Sequence, residues 1–176
     1  MATHLAFLRA INLGAKRKFP KGEIKAAVEA AGFTDVETHI NTGNVRFETR
    51  MRSRARIEAA LERAFREDRD FEVPTIVFSA AEFARVAADA DELHHDALVR
   101  HYLLLLKEPL DDATRRQVEQ LSTEQHRVVV RGRAAHLLLG SGYEQSMVDP
   151  LRVERFLGVA TNRNHNVVTT IARKWC

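Results

Sequence analysis

Leu5 to Asn12, LAFLRAIN, runs into Leu13 to Lys18, LGAKRK, and reads as a buried strand ending in a polar, basic loop. Its length and apolar content suit a strand covered on at least one face, and Asn12 and Gly14 supply the stop. Alternation along it puts Leu5, Phe7, Arg9 and Ile11 on one side and Ala6, Leu8, Ala10 and Asn12 on the other. Two other stretches carry related chemistry: His39 to Phe47, HINTGNVRF, and Thr161 to Asn166, TNRNHN.

Working outward, Pro20 suits a first helical position, and Ile24, Ala27, Val28 and Ala31 then recur at helical spacing until Gly32. Val36, Thr38 and Ile40 alternate with Glu37 and His39. The NTGN of Asn41–Asn44 has turn chemistry, and Val45 and Phe47 resume the alternation, which predicts a hairpin. Ser53 can cap a helix striped by Ile57, Ala60, Leu61, Ala64 and Phe65, and Pro74 introduces a short strand, Thr75 to Phe78. The order βαββαβ predicts an α+β, ferredoxin-like fold with two helices on one face of an antiparallel sheet. In that topology the loop after the first strand and the hairpin between the second and third fall at one end. LGAKRK and NTGN are therefore expected to be neighbours.

Residues 80–99 read as a helical connection, Ala80 to Ala90, followed by a linker in the acidic, His-bearing stretch Asp89 to Asp96. A second part then begins as the first does. Arg100 to Leu106 is a strand, a helix carries Val118 and Leu121 behind Asp111 and Asp112, and a hairpin turns about Gly132. Asp149 and Pro150 open a short helix, and Val167, Val168, Ile171, Ala172 and Trp175 stripe a last one. The expected organisation is a ferredoxin-like domain at 1–79, a connection at 80–99, and a related βαββ-αα part at 100–176 that lacks a closing strand.

A hydrophobic content of 45% with 29% charged residues is that of an ordinary folded chain, not a disordered one. The longest apolar run, Tyr102 to Leu106, is far below the roughly 20 residues that cross a bilayer, and MATHLAFLR lacks the pattern of a secretion signal, so a cytoplasmic protein without membrane attachment is expected. Cys176 is the sole cysteine, which rules out internal disulfides and cysteine-based zinc sites. The net charge of +3 does not by itself indicate a nucleic-acid-binding protein. Its distribution is uneven: residues 1–79 hold 14 Lys+Arg against 11 Asp+Glu, and residues 80–176 hold 13 of each. The excess centres on Lys16, Arg17, Lys18, Lys21 and Lys25 and on the arginines between 46 and 56, which serve equally well as solvated faces.

Arg9, on a face otherwise apolar, is either a salt-bridge partner or an anion ligand. Gly43 and Asn44 suit a tight turn, and with Lys16, Arg17 and Lys18 beside them the backbone N–H groups would cradle a phosphate or carboxylate. Arg163 and Asn164, read as the start of the last helix, add a charged donor to unpaired N–H groups. Catalytic signatures are missing: no G-x-S-x-G, no H-E-x-x-H, no Cys–His pair. His94, His95 and Asp96 read as solvated linker residues, so no metal site and no cofactor is assigned; Ser146 reads as a loop serine.

LRAINLG, INTGNVRF and TNRNHNVVT, in this order, resemble the bacterial family catalogued as domain of unknown function 1697, whose usual forms are close to LRGINVGG, QSGNVVF and T-x-RNW-x-T. The resemblance spans essentially the whole chain and implies a ferredoxin-like first domain followed by a related α/β part; it supplies no activity. The chain departs from the pattern at Ala10 and Ala15, where glycines are usual, and at His165, where a Trp is usual. His165 would stack less well than Trp but can titrate.

The expected ligand-binding set is Arg9, Asn12, Lys16, Arg17, Lys18, Gly43, Asn44, Arg163 and Asn164, for a nucleic acid or a phosphate-bearing small molecule. One alternative is an enzyme on a small phosphorylated or carboxylated substrate, with His165 as acid or base. The other is a module that works through a protein partner, with Arg9, Asn44 and Arg163 holding the halves together. The oligomeric state is not legible.

Overall fold

The first strand, β1, runs from Ala2 to Leu8 in the computed structural model, which describes residues 1–176. It stops short of Asn12 because Ala10 and Asn12 adopt left-handed backbone angles, φ 58° and 55°, which no strand accommodates. Arg9 therefore lies beyond the strand, and the expected alternation ends at Leu8. The chain continues through α1 (Lys21–Ala30), β2 (Thr34–His39), β3 (Asn44–Thr49), α2 (Arg54–Arg69), β4 (Thr75–Ser79) and α3 (Ala80–Leu93). The first sheet has the order β2-β3-β1-β4 and is antiparallel throughout, as the βαββαβ pattern requires.

Contacts divide the chain into one unit of Met1–Phe83 with Trp175 and a second of Ala84–Lys174 with Cys176. The boundary falls inside α3, so Asp89 to Leu93 is helix and not open linker. In the first unit, Ile24 and Val28 of α1 and Ile57, Leu61 and Phe65 of α2 pack on Ala6, Leu8, Val45, Phe47 and Val77 of the sheet. Ser53 caps α2 by accepting the Arg56 N–H at 3.3 Å. The reverse face of the sheet is apolar too: Phe7 lies 4.9 Å from Phe83 and 6.0 Å from Phe78, ring centre to ring centre. Burying each such ring stabilises the unit by about 1.5–3 kcal/mol.

The second unit repeats the scheme with β5 (Arg100–Leu106), α4 (Asp112–Glu119), β6 (His126–Arg131), β7 (Ala134–Leu139), α5 (Pro150–Glu154), β8 (Ala160–Asn164) and α6 (His165–Trp175). Its sheet order, β6-β7-β5-β8, is that of the first with each strand replaced by its counterpart. A closing strand is thus present: Ala160–Asn164, expected to open the last helix, pairs with β5 from Tyr102↔Asn164 to Leu106↔Ala160. The same hydrogen bonds fasten the strand ends in both units. Leu8 N–H donates to Gly43 O at 2.8 Å and Arg9 N–H to Pro74 O at 2.9 Å; Leu106 N–H donates to Arg133 O and Lys107 N–H to Val159 O, both at 2.9 Å.

Helix carboxylates and a hydroxyl meet N–H groups on two of the strands that end the sheets. On β4, Thr75 N–H donates to Glu62 Oε1 at 2.9 Å and Val77 N–H to Glu58 Oε1 at 3.0 Å; Glu58 is 2% exposed. On β6, Val130 N–H donates to Glu119 Oε1 at 3.0 Å and Val128 N–H to Ser122 Oγ at 2.9 Å. Left unmet in the interior, each such donor would cost about 1–3 kcal/mol.

Among the glycines of the first unit, Gly43 has the least room for a side chain. Its φ is +77°, and a Cβ there would stand 2.7 Å from Leu8 Cβ and 2.9 Å from Ile11 Cδ1. Replacing Gly43 by Ala is expected to lower stability by about 3 kcal/mol, from left-handed strain together with overpacking. Urea unfolding checks this, and a loss below about 0.5 kcal/mol would mean that the turn relaxes freely.

Candidate functional site

The loop after β1 and the β2–β3 turn meet, as the topology demands. Asn12 makes the junction: its Nδ2 donates to Asn41 O at 2.6 Å and Phe19 O at 3.2 Å, its Oδ1 accepts Phe19 N–H at 2.8 Å, and its own N–H donates to Arg17 O at 2.6 Å. The side-chain amide is spent on holding the loop. Asn44, 1% exposed, donates from Nδ2 to His39 O at 3.0 Å and Thr42 Oγ1 at 2.8 Å, which fixes the turn around Gly43.

Arg17 is likewise a clamp. Nε donates to Ala10 O, Nη2 to Glu72 O at 2.6 Å, and the guanidinium lies 4.5 Å from the centre of the Phe71 ring. Arg69 donates to Lys18 O at 3.3 Å and pairs with Glu23 at 2.8 Å, closing the far side of the loop. Lys16 and Lys18 are exposed and their ammonium groups contact no carboxylate. Arg9 is half-buried just after the strand.

Between these anchors the backbone alternates in hand. Ala10, Asn12 and Gly14 have φ of 58°, 55° and 70°, while Ile11 and Leu13 between them remain in the ordinary negative range. Alternation of this kind turns successive N–H groups toward a common side, the arrangement that receives anions. The N–H groups of Leu13, Gly14, Ala15 and Lys16 donate to no group of the protein.

The residues singled out in TNRNHN belong to the second unit and have a different setting. Arg163 is on β8, not at a helix start; its Nη1 donates to Thr161 Oγ1 at 2.9 Å and to Asn162 O at 2.8 Å, and burial pushes its pKa down to about 10, still charged at neutral pH. Asn164 is the N-cap of α6, with Oδ1 accepting Val167 N–H at 2.9 Å. A surface groove between α1 and α2, lined by Ala27, Ala30, Ala60 and Ala64 with Arg63 and Glu67, includes none of the expected ligand residues.

A feature the sequence reading missed is the buried polar face of the second sheet. Register places His101 opposite Leu138 and Leu103 opposite both His136 and Arg163, so His101, His136 and Arg163 share one face. His94, just past α3, and His165, first in α6, join them. The His94 and His165 rings stack at 4.0 Å and 8°, and His101 lies 5.1 Å from His165 at 7°. Burial, reinforced by His136, His165 and His94, pushes His101 down to about 3, and burial pushes His136 down to about 4, so both are neutral near pH 7. Only their register on neighbouring strands, visible once the pairing is known, signals this grouping.

The chain matches the family model described as "Protein of unknown function (DUF1697)" over residues 1–136. No curated protein matches it. Among solved structures it is similar to the conserved bacterial protein SP0830 from Streptococcus pneumoniae, at 22% identity and a TM-score of 0.77, with 99% of this chain and 98% of that one covered. At that identity the likeness is one of fold. No helix is long and apolar enough to cross a membrane.

The left-handed angle at residue 10 explains why a glycine suits that position, since an alanine there costs about 1–2 kcal/mol of strain. Ala10→Gly is expected to stabilise the protein by about 0.5–1 kcal/mol after the added freedom of the unfolded chain is subtracted. Thermal and urea unfolding measure it; destabilisation would mean that the Ala10 methyl makes a packing contribution larger than the strain.

Proposed function

We propose that this chain, which belongs to the DUF1697 family of proteins of unknown function, binds a phosphate-bearing anionic ligand, nucleic acid or nucleotide-like, at the loop from Ala10 to Lys18. The observation that carries this reading is the alternation of φ from Ala10 to Gly14, with the following N–H groups uncommitted. Lys16 and Lys18 flank that backbone and supply charge without ion pairs to break. Asn12, Asn44, Gly43 and Arg17 act by holding the loop against the β2–β3 turn, so a ligand meets a preorganised surface and little ordering cost opposes binding. Arg163 and Asn164 are left out of this site, because their polar groups serve the second sheet and the cap of α6.

Binding is to be read by fluorescence anisotropy with a labelled oligonucleotide and by competition with mononucleotides. Affinity is expected to fall steeply with salt, and Lys16→Ala combined with Lys18→Ala to reduce the magnitude of the log–log salt slope by about 1.4–1.8. Neither lysine ammonium is paired, so the double variant retains the parent melting temperature. Salt-independent binding, or binding unchanged in the double variant, would remove the loop as the site.

A further inference from the structure

The second unit holds a group of imidazoles that the phosphate site does not use. One ring nitrogen from each of His94, His101 and His165 lies within 4.8 Å of the others. We propose that these three histidines bind a divalent transition-metal ion of the zinc class, with Asp91 and His136 as supporting partners.

The hydrogen bonds define which nitrogen of each ring is available. Asp91 Oδ1 accepts from His165 Nε2 at 2.8 Å, so in the neutral ring the proton lies on Nε2 and Nδ1 keeps its lone pair. That Nδ1 is buried and has no hydrogen-bond partner, a state that a bound ion relieves. A carboxylate behind an imidazole is the usual support of a metal-ligating histidine, because it fixes the tautomer and raises basicity.

Behind His101 stands an imidazole instead of a carboxylate. Its Nε2 is 3.4 Å from His136 Nδ1, and its Nδ1 is 3.2 Å from His94 Nδ1. With the His101 proton on Nε2, given to His136, the Nδ1 is a donor to metal. Two nitrogens bound at about 2.0–2.1 Å to one tetrahedral zinc stand roughly 3.3 Å apart, so His94 and His101 are already at ligand spacing.

The three rings are nearly parallel, within 8° for His94 and His165 and 7° for His101 and His165, so their lone pairs run side by side. Loading tilts the outer ring until the lone pairs converge. His94 is the exposed member, and a fourth ligand would be water. Neutral imidazoles suit zinc, copper and nickel above magnesium or calcium, which prefer oxygen.

The test uses the untagged full chain after chelator treatment, titrated with Zn²⁺ by calorimetry and with Co²⁺ by visible absorption. The expected result is one ion per chain at micromolar affinity or tighter, a higher melting temperature with Zn²⁺, and the d–d bands of tetrahedral cobalt. His94→Ala, at an exposed position, should abolish the cobalt spectrum while the fold persists. Asp91→Asn should weaken binding by about 10–100-fold. His95→Ala, beside the cluster but outside it, should bind as the parent does. Absence of stoichiometric binding at micromolar zinc would overturn the proposal and leave a stack of imidazoles that holds no ion. So would binding unaffected by His94→Ala and Asp91→Asn.

Discussion

The hydrogen bond from Leu8 N–H to Gly43 O is the constraint on which the first unit turns. It fixes where β1 ends relative to the start of β3, and therefore brings the basic loop and the NTGN turn to one place. Its counterpart from Leu106 N–H to Arg133 O does the same for β5 and β7. Sequence similarity between the units is slight, yet each central strand is fastened at its end to the residue before each neighbour it pairs with. The repetition is one of backbone geometry, which different side chains satisfy: a left-handed glycine at 43, and a buried arginine at 133 that donates to Leu106 O and Lys107 O, both at 3.0 Å.

Much of the first unit was legible. Helical spacing, the Ser53 cap and the Pro74 boundary report local preferences, and local preferences agree with the fold there. The neighbourhood of LGAKRK and NTGN followed from topology alone. The end of β1 was overextended because apolar content continues through Ile11, whereas the conformation is decided by φ at Ala10 and Asn12, which composition does not reveal in an alanine.

The second unit was harder for a physical reason. β8 is five residues long and reads ATNRN, with polar residues that suit a cap as well as a strand. It is a strand because β5 offers it a full ladder, a tertiary fact. Several of the expected ligands make hydrogen bonds within the protein, which no pattern of residue types reveals: the amide of Asn12, the guanidinium of Arg17 and the cap at Asn164. The histidines come together from positions distant in sequence. Reading His94 with its neighbours His95 and Asp96 suggested residues that could not converge; its real companions come from β5, β7 and the start of α6.

The carboxylates of Glu58 and Glu62 have a bearing on how this architecture can grow. They sit on α2 and occupy two donors that another strand would need, which opposes the addition of a further strand beside β4. Glu119 of α4, with Ser122 just past that helix, occupies donors of β6 in the same manner. Protection borrowed from a helix lasts only while that helix stays docked. Partial opening of α2 would thus uncover those donors as a template for intermolecular pairing, so the protection of the β4 edge depends on helix docking.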